Sequence, residues 1–168
     1  MTSREIFERV TELCPSGVQE FNDTGLEPFF KVKPASIREV CVALRDGDGL
    51  KFDVLSDLTA VDLPTANVIQ VVYHLFSYDT RRQVVIKVDL DRDTPAIATV
   101  DEIWKVANWF EREVFDLFGV VFEGHPDLRR ILLPEDWVGH PLRKDFVEQE
   151  EYDGISTERE PLVPENMR

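Results

Sequence analysis

The stretch from Glu111 to Phe146, EREVFDLFGVVFEGHPDLRRILLPEDWVGHPLRKDF, constrains the fold of this chain more than any other part of it. It opens on a helix face, because Ile103, Ala107, Phe110, Val114 and Phe118 recur at three- and four-residue steps. Gly119 ends that helix. From Gly119 onward there are three glycines, three prolines and no sustained period of 3.6 or 2, yet large apolar groups persist: Phe122, Leu128, Ile131, Leu132, Leu133, Trp137, Leu142 and Phe146. Disordered segments are poor in such residues, and long irregular segments of compact domains are usually functional. The reading is an ordered, extended segment laid across a surface, of its own domain or of a partner. Its apolar groups are inserted, and its charges (Arg129, Arg130, Arg143 and Lys144 against Asp127, Glu135, Asp136 and Asp145) face outward or pair.

Upstream, the patterns alternate between helix and strand. Thr2 and Glu5 have capping-box spacing ahead of Ile6, Phe7, Val10 and Leu13, and Pro15-Ser16-Gly17 stops that helix. Strand-like runs follow at 18–21 and 29–33. Ser36 and Glu39 repeat the capping-box spacing before a second helix carrying Ile37, Val40, Cys41 and Leu44. Residues 51–58 and 68–78 read as strands, and 83–90 alternates Val84, Ile86, Val88 and Leu90 with more polar positions, giving a hairpin with one buried face. Thr99 and Glu102 supply a third capping box, so the last helix is expected over 101–118. The order predicts an α+β fold: a two-layer domain with a mostly antiparallel sheet and helices on one face, followed by a long extended C-terminal segment. Residues 1–118 form the α+β domain, 119–146 the extended segment, and 147–168 a flexible acidic tail.

Charge narrows the function classes. The formal net charge is −14; residues 147–168 carry −5, 125–146 balance at zero, and the rest falls on the first 124 residues. Nucleic acid needs a basic footprint and is a poor partner, as is a bare anionic lipid surface. A basic protein partner suits the chain. Cys14 and Cys41 are too few and too far apart for a disulfide framework and read as buried free thiols. No apolar run approaches the ~18 residues of a membrane span, and the first residues lack the features of a signal peptide or a mitochondrial presequence. These features fit a bacterial or archaeal cytosolic protein.

Candidate chemistry is sparse. There is no Walker loop, no GxGxxG and no CxxC, so neither a nucleotide cradle nor a four-thiolate cluster site is present in the sequence. His125 and His140 each sit between Gly and Pro, where a ring nitrogen bonds to backbone across a turn more naturally than to zinc. His74 reads as a packed or edge strand residue. Glu111 and Glu113 are two apart on a helix and do not share a face, so with Asp116 they read as a solvated or partner-facing cluster. Arg112 is four residues before Asp116 and is expected to pair with it. An independent small enzyme using Glu111, Glu113 and His125 is the competing reading, supported by residue types alone.

Glu111-Arg112-Glu113, Asp116, Phe118-Gly119, Gly124-His125-Pro126-Asp127-Leu128-Arg129-Arg130 and Gly139-His140-Pro141-Leu142-Arg143-Lys144-Asp145 resemble the signature of the 30 kDa subunit family of respiratory complex I, whose bacterial members are the C subunits of NADH-quinone oxidoreductase. The similarity is dense over 111–146 and looser upstream through 55–62, 72–75 and 104–109. One departure is that Phe146 is followed by Val147 where the family usually has Tyr-Pro after the Lys-Asp pair. The resemblance implies a non-catalytic scaffold subunit of the hydrophilic arm of a proton-translocating complex. Its neighbours are the large quinone-site subunit and cluster-bearing subunits, and the membrane is reached only through the complex, on the cytoplasmic side of the bacterial inner membrane. It implies no cofactor on this chain, with FMN and iron–sulfur clusters on partner subunits. The alternative that it leaves open is the equivalent subunit of a related membrane-bound hydrogenase or other-donor dehydrogenase. Leu132 and Trp137 join the signature residues as expected partner contacts.

Overall fold

Alternation between apolar and polar positions builds the centre of the molecule. The computed structural model describes residues 2–157. Three ten-residue strands, β3 (Val54–Leu63), β4 (Val68–Ser77) and β5 (Arg82–Asp91), form an antiparallel meander. Their period-2 pattern places Leu55, Leu58, Ala60, Ile69, Val71, Tyr73, Leu75, Val84, Ile86, Val88 and Leu90 in one buried cluster. On β5 the sheet continues with β2 (Phe29–Val32), paired in parallel, and then β1 (Val18–Asn22), giving the order β1-β2-β5-β4-β3.

Helices α1 (Ser3–Leu13), α2 (Ile37–Asp46) and α3 (Ala107–Phe118) close the core. They contribute Ile6, Val10, Ile37, Val40, Cys41, Leu44, Ala107, Val114 and Phe118 to the same cluster. Cys14 and Cys41 are buried free thiols, as expected. His74 is half-buried in β4. The Thr2–Glu5 capping box forms in both directions, at 3.3 and 2.7 Å.

Three expectations need correction, and one element is unexpected. Ser36 makes no side-chain cap; it lies in a 3-10 turn, Pro34–Ser36, that feeds directly into α2. The strand expected over 51–58 runs instead from Val54 to Leu63, because Ala60 and Asp62 continue the buried alternation. The last helix begins at Ala107 rather than 101, since Thr99 turns its hydroxyl to Glu111 instead of capping, and residues 101–106 form turns. A two-stranded parallel pair, β6 (Ala96–Ala98) with β7 (Val121–Glu123), brackets α3 and has no counterpart in the sequence pattern. Each of its strands is only three residues long, too short to show a period.

Beyond β7 the extended segment turns back over α3. Part of the expected flexible tail is a small hairpin, β8 (Glu151–Tyr152) with β9 (Ile155–Ser156); residues 158–168 lie outside the described residues.

Candidate functional site

Gly119 starts the reversal that forms the site. Its φ of +77° is the left-handed conformation that terminates α3, and its N–H donates to the Phe115 carbonyl at 2.9 Å. The chain passes through β7, turns at Gly124 (φ +82°), and runs back so that the Leu142 N–H reaches the Leu117 carbonyl at 3.1 Å. The His140 ring packs directly on Gly119, where an added Cβ would come within 2.6 Å of it. Gly119→Ala therefore meets both backbone strain and a ring. A loss of about 1–2 kcal/mol from the left-handed strain alone sets the minimum, measurable as a lowered urea midpoint of the isolated chain.

Asp116 is the anchor of the segment. Its side chain is fully buried, and Oδ2 accepts the backbone N–H groups of Ile131, Leu132 and Leu133 at 3.0, 2.8 and 2.9 Å. Arg130 Nη1 donates to Oδ1 at 2.6 Å, while its Nη2 holds the carbonyls of Trp137 and Gly139 at 2.9 and 3.0 Å. His140 Nδ1 lies 2.9 Å from the Asp116 carbonyl, which makes it the protonated ring nitrogen. Burial alone would raise the Asp116 carboxyl, but the three N–H groups and Arg130 outweigh it and hold it below the usual carboxylate range.

Arg112 does not pair with Asp116. It donates instead to the carbonyls of Arg129 and Arg130 at 3.2 and 3.3 Å, since the returning loop brings those acceptors to its own buried position. Glu111 is also buried: Oε2 accepts the Thr99 hydroxyl at 2.5 Å and Oε1 the Val100 N–H at 2.7 Å. Burial pushes its carboxyl up to about 7. His125 Nδ1 accepts the Asp127 N–H at 3.0 Å, so Nε2 carries the proton toward the Asn108 carbonyl at 3.1 Å and lies 4.0 Å from Glu111. Both histidines thus bond to backbone across turns. The expected solvated cluster holds only for Glu113, which is exposed; Glu111 and Asp116 are interior because the returning segment and the 99–101 turn cover them.

A second anchor fixes the far end. Arg92 Nε and Nη2 clasp the buried Asp62 carboxylate at 2.7 and 2.9 Å, and Nη2 also reaches Asp145 at 2.7 Å. The Lys144 N–H donates to Asp62 at 2.7 Å, and Arg143 donates to the carbonyls of Phe118 and Arg92 at 2.9 and 2.8 Å. Arg92 holds the Asp62 carboxyl down to about 2 against the opposing effect of burial. Sequence reasoning gave Asp62, Arg92 and Thr99 no part in the site. Asp62 left a signal: it follows Leu58 and Ala60 on the inward positions of an alternating strand, where a carboxylate needs a partner.

The segment departs from the expected polarity only in part: Phe122 is buried and Leu128, Ile131, Leu133, Trp137 and Phe146 are half-buried, as expected. Arg130, Arg143 and the backbone point inward, whereas Leu132 (61% exposed), Val138 (65%), Leu142 (48%) and Val147 (84%) face solvent. Phe118 is buried, Pro141 is half-buried and Pro126 is exposed. Asp127 and Arg129 form a surface pair at 3.0 Å. Trp137 is half-buried with its ring centroid 5.2 Å from that of Tyr152. Among the described residues no three His, Cys, Asp or Glu side chains converge as a metal site requires. What the arrangement does is hold a rigid irregular strip with an apolar outer edge.

The sequence model described as respiratory-chain NADH dehydrogenase, 30 Kd subunit, matches residues 30–152, which takes in the sheet from β2 onward without β1, together with α3 and the whole strip. The chain belongs to that family. The NADH-quinone oxidoreductase C subunit of Chlorobium phaeobacteroides is 41% identical over 151 residues, 89% of this chain and 91% of the relative. Among solved structures, a chain of the membrane-bound sulfane sulfur reductase, an archaeal respiratory membrane complex, superposes with a TM-score of 0.72 at 29% identity, covering 86% of this chain and 85% of that one. The trypsin-resistant fragment of Nqo5 gives a TM-score of 0.61 at 29% identity over 76% of this chain and all of the fragment. Complex I 30 kDa subunits thus share this α+β fold, and among the described residues no helix is long and apolar enough to cross a membrane.

Proposed function

We propose that this chain is a scaffold subunit in the hydrophilic arm of a proton-translocating NADH-quinone oxidoreductase, with no active site of its own. The strip over 128–147 seats on the large quinone-site subunit and keeps it in register with the cluster-bearing subunits. FMN and the iron–sulfur clusters belong to those neighbours, and attachment to the cytoplasmic face of the cell membrane runs through the complex. One observation carries the reading: four aliphatic side chains stand in solvent on a backbone that two buried carboxylates hold rigid. Rigid apolar projections of this kind mark protein contact sites, because ordering the strip has already been achieved before binding.

Leu132→Asp combined with Val138→Asp tests it. Neither side chain is buried, so the isolated chain keeps its urea midpoint, while the yield of assembled complex from host membranes falls at least roughly ten-fold, the cost expected of placing unpaired charge in an interface core. Full assembly of the double variant overturns the docking role.

The sulfane sulfur reductase chain favours a second reading, in which the same scaffold serves a respiratory complex with a different redox partner. Purification of the tagged chain with its complex separates the two: NADH oxidation with quinone reduction supports the first, and another electron donor or acceptor supports the second.

A further inference from the structure

We propose that the cavity at the far end of the strip receives an apolar side chain flanked by a carboxylate, presented by a neighbouring member of the complex. This deepens the docking role proposed above and rests on it. The cavity has a volume of about 300 Å³ and is lined by Val138, His140, Arg143, Phe146 and Val147, with Asp145, whose carboxylate is bonded to Arg92, also on its wall. That is the lower limit for ligand pockets and suits one side chain of a partner loop. Its walls are rigid: Phe146 packs beneath Gly139, where a Cβ would lie 3.0 Å from the ring, and His140 is seated on Gly119.

Charge identifies the occupant. Three cations gather here, Arg92, Arg143 and Lys144, against two carboxylates, Asp62 and Asp145, and Arg92 bonds to both of those carboxylates. Arg143 spends Nε and Nη2 on the main-chain carbonyls of Phe118 and Arg92, which neutralise nothing. The Lys144 side chain is exposed, and only its backbone N–H reaches Asp62. Among the described residues neither Arg143 nor Lys144 has an ion-pair partner within 4.0 Å. A local positive excess in a chain of net charge −14 is a place where an anionic group is attracted while most of the remaining surface repels it. Arg143 sits at the cavity wall with Nη1 uncommitted, so a carboxylate arriving there gains a charge-assisted hydrogen bond. Val138 and Val147 on the rim give the same loop an apolar contact.

The test places a photo-cross-linking benzophenone amino acid at position 147 in the full chain, expressed in its host. The complex is purified, irradiated and the adduct peptide sequenced. The expected adduct is a peptide from a different protein of the complex, with Asp or Glu within two residues of Leu, Ile, Val or Phe. Its yield falls roughly five-fold with Lys144→Glu and is kept with Lys144→Arg, as rim electrostatics require. An adduct with lipid, with this chain's own C-terminal peptide, or with a basic or uncharged segment overturns the proposal while leaving the scaffold role standing. So does an intact complex that yields no adduct. A tagged chain that recovers no complex at all overturns both.

Discussion

Asp116→Ala is expected to destabilise the isolated chain by about 3–5 kcal/mol, the range for removing one partner of a buried ion pair. The carboxylate answers four donors at once, the N–H groups of Ile131, Leu132 and Leu133 and the guanidinium of Arg130. Without it three adjacent backbone donors lose their acceptor, and a cation at the bend loses its counter-charge. Water will reach those groups only if the strip lifts from α3. Amide exchange should therefore accelerate first at 131–133 and then through the turn that Arg130 holds at Trp137 and Gly139. Asp116→Asn retains an oxygen for the N–H groups but offers Arg130 no charge, so it should fall between wild type and alanine. A urea midpoint for Asp116→Ala within a few tenths of a molar of wild type would show that the carboxylate does not anchor the strip.

That anchor marks the boundary of what the sequence discloses. Alternation along 68–77 and 82–91 predicts a hairpin with one buried face because each residue's environment there is set by neighbours one and two places away. The same holds for the Thr2–Glu5 cap. Thr99 and Glu102 have identical spacing, yet no cap forms, since a carboxylate from the following helix, Glu111, captures both the Thr99 hydroxyl and the Val100 N–H. Local spacing cannot register a competitor that tertiary structure delivers.

The strip poses the same difficulty in a stronger form. Its residues identify the family and its composition shows that it is ordered. With no period, however, nothing in the order of residues tells which side chains face in. The ordinary expectation of apolar inside and charge outside holds for Phe122, Leu128 and Phe146 but fails for Arg130, Arg143, Leu132 and Leu142, because the end of α3 and β3 offer buried carboxylates and carbonyls beside the apolar surface. Arg112 is a small instance: spacing along the helix points to Asp116, but the loop carbonyls of Arg129 and Arg130 lie closer to hand.

Glu111 should make the chain lose stability as pH rises from about 4.5 to about 7. Its carboxyl is raised from the usual 4.5 to about 7, chiefly by burial. Between those values the folded chain holds a proton that the unfolded chain has released, so raising the pH through this window favours unfolding, by about 3 kcal/mol in all. Below it the group is neutral in both states and contributes no slope. Asp62, lowered from 3.8 to about 2, works the other way: its stabilisation is complete above about 4 and is lost as the pH falls toward 2. A stability optimum near pH 4–5 follows. The Thr99 hydroxyl and the Val100 N–H favour the ionised form and pull the carboxyl down, but burial outweighs them. Asp101 adds to the rise, and the more distant Arg38 counters it in part. Self-repulsion in a chain of charge −14 also relaxes toward lower pH, so a wild-type profile alone does not isolate Glu111. Glu111→Gln does. Its amide oxygen can accept the Val100 N–H, its NH2 can turn to the Thr99 oxygen, and it has no proton to lose. Urea unfolding at pH 5.0 and 7.5 should show the wild-type difference reduced by about 2–3 kcal/mol in the variant, with the variant at least as stable as wild type at pH 7.5. Parallel profiles for the two chains would mean that Glu111 is ionised in the folded state well below neutrality, and that its bonds to Thr99 and Val100 overcome the burial.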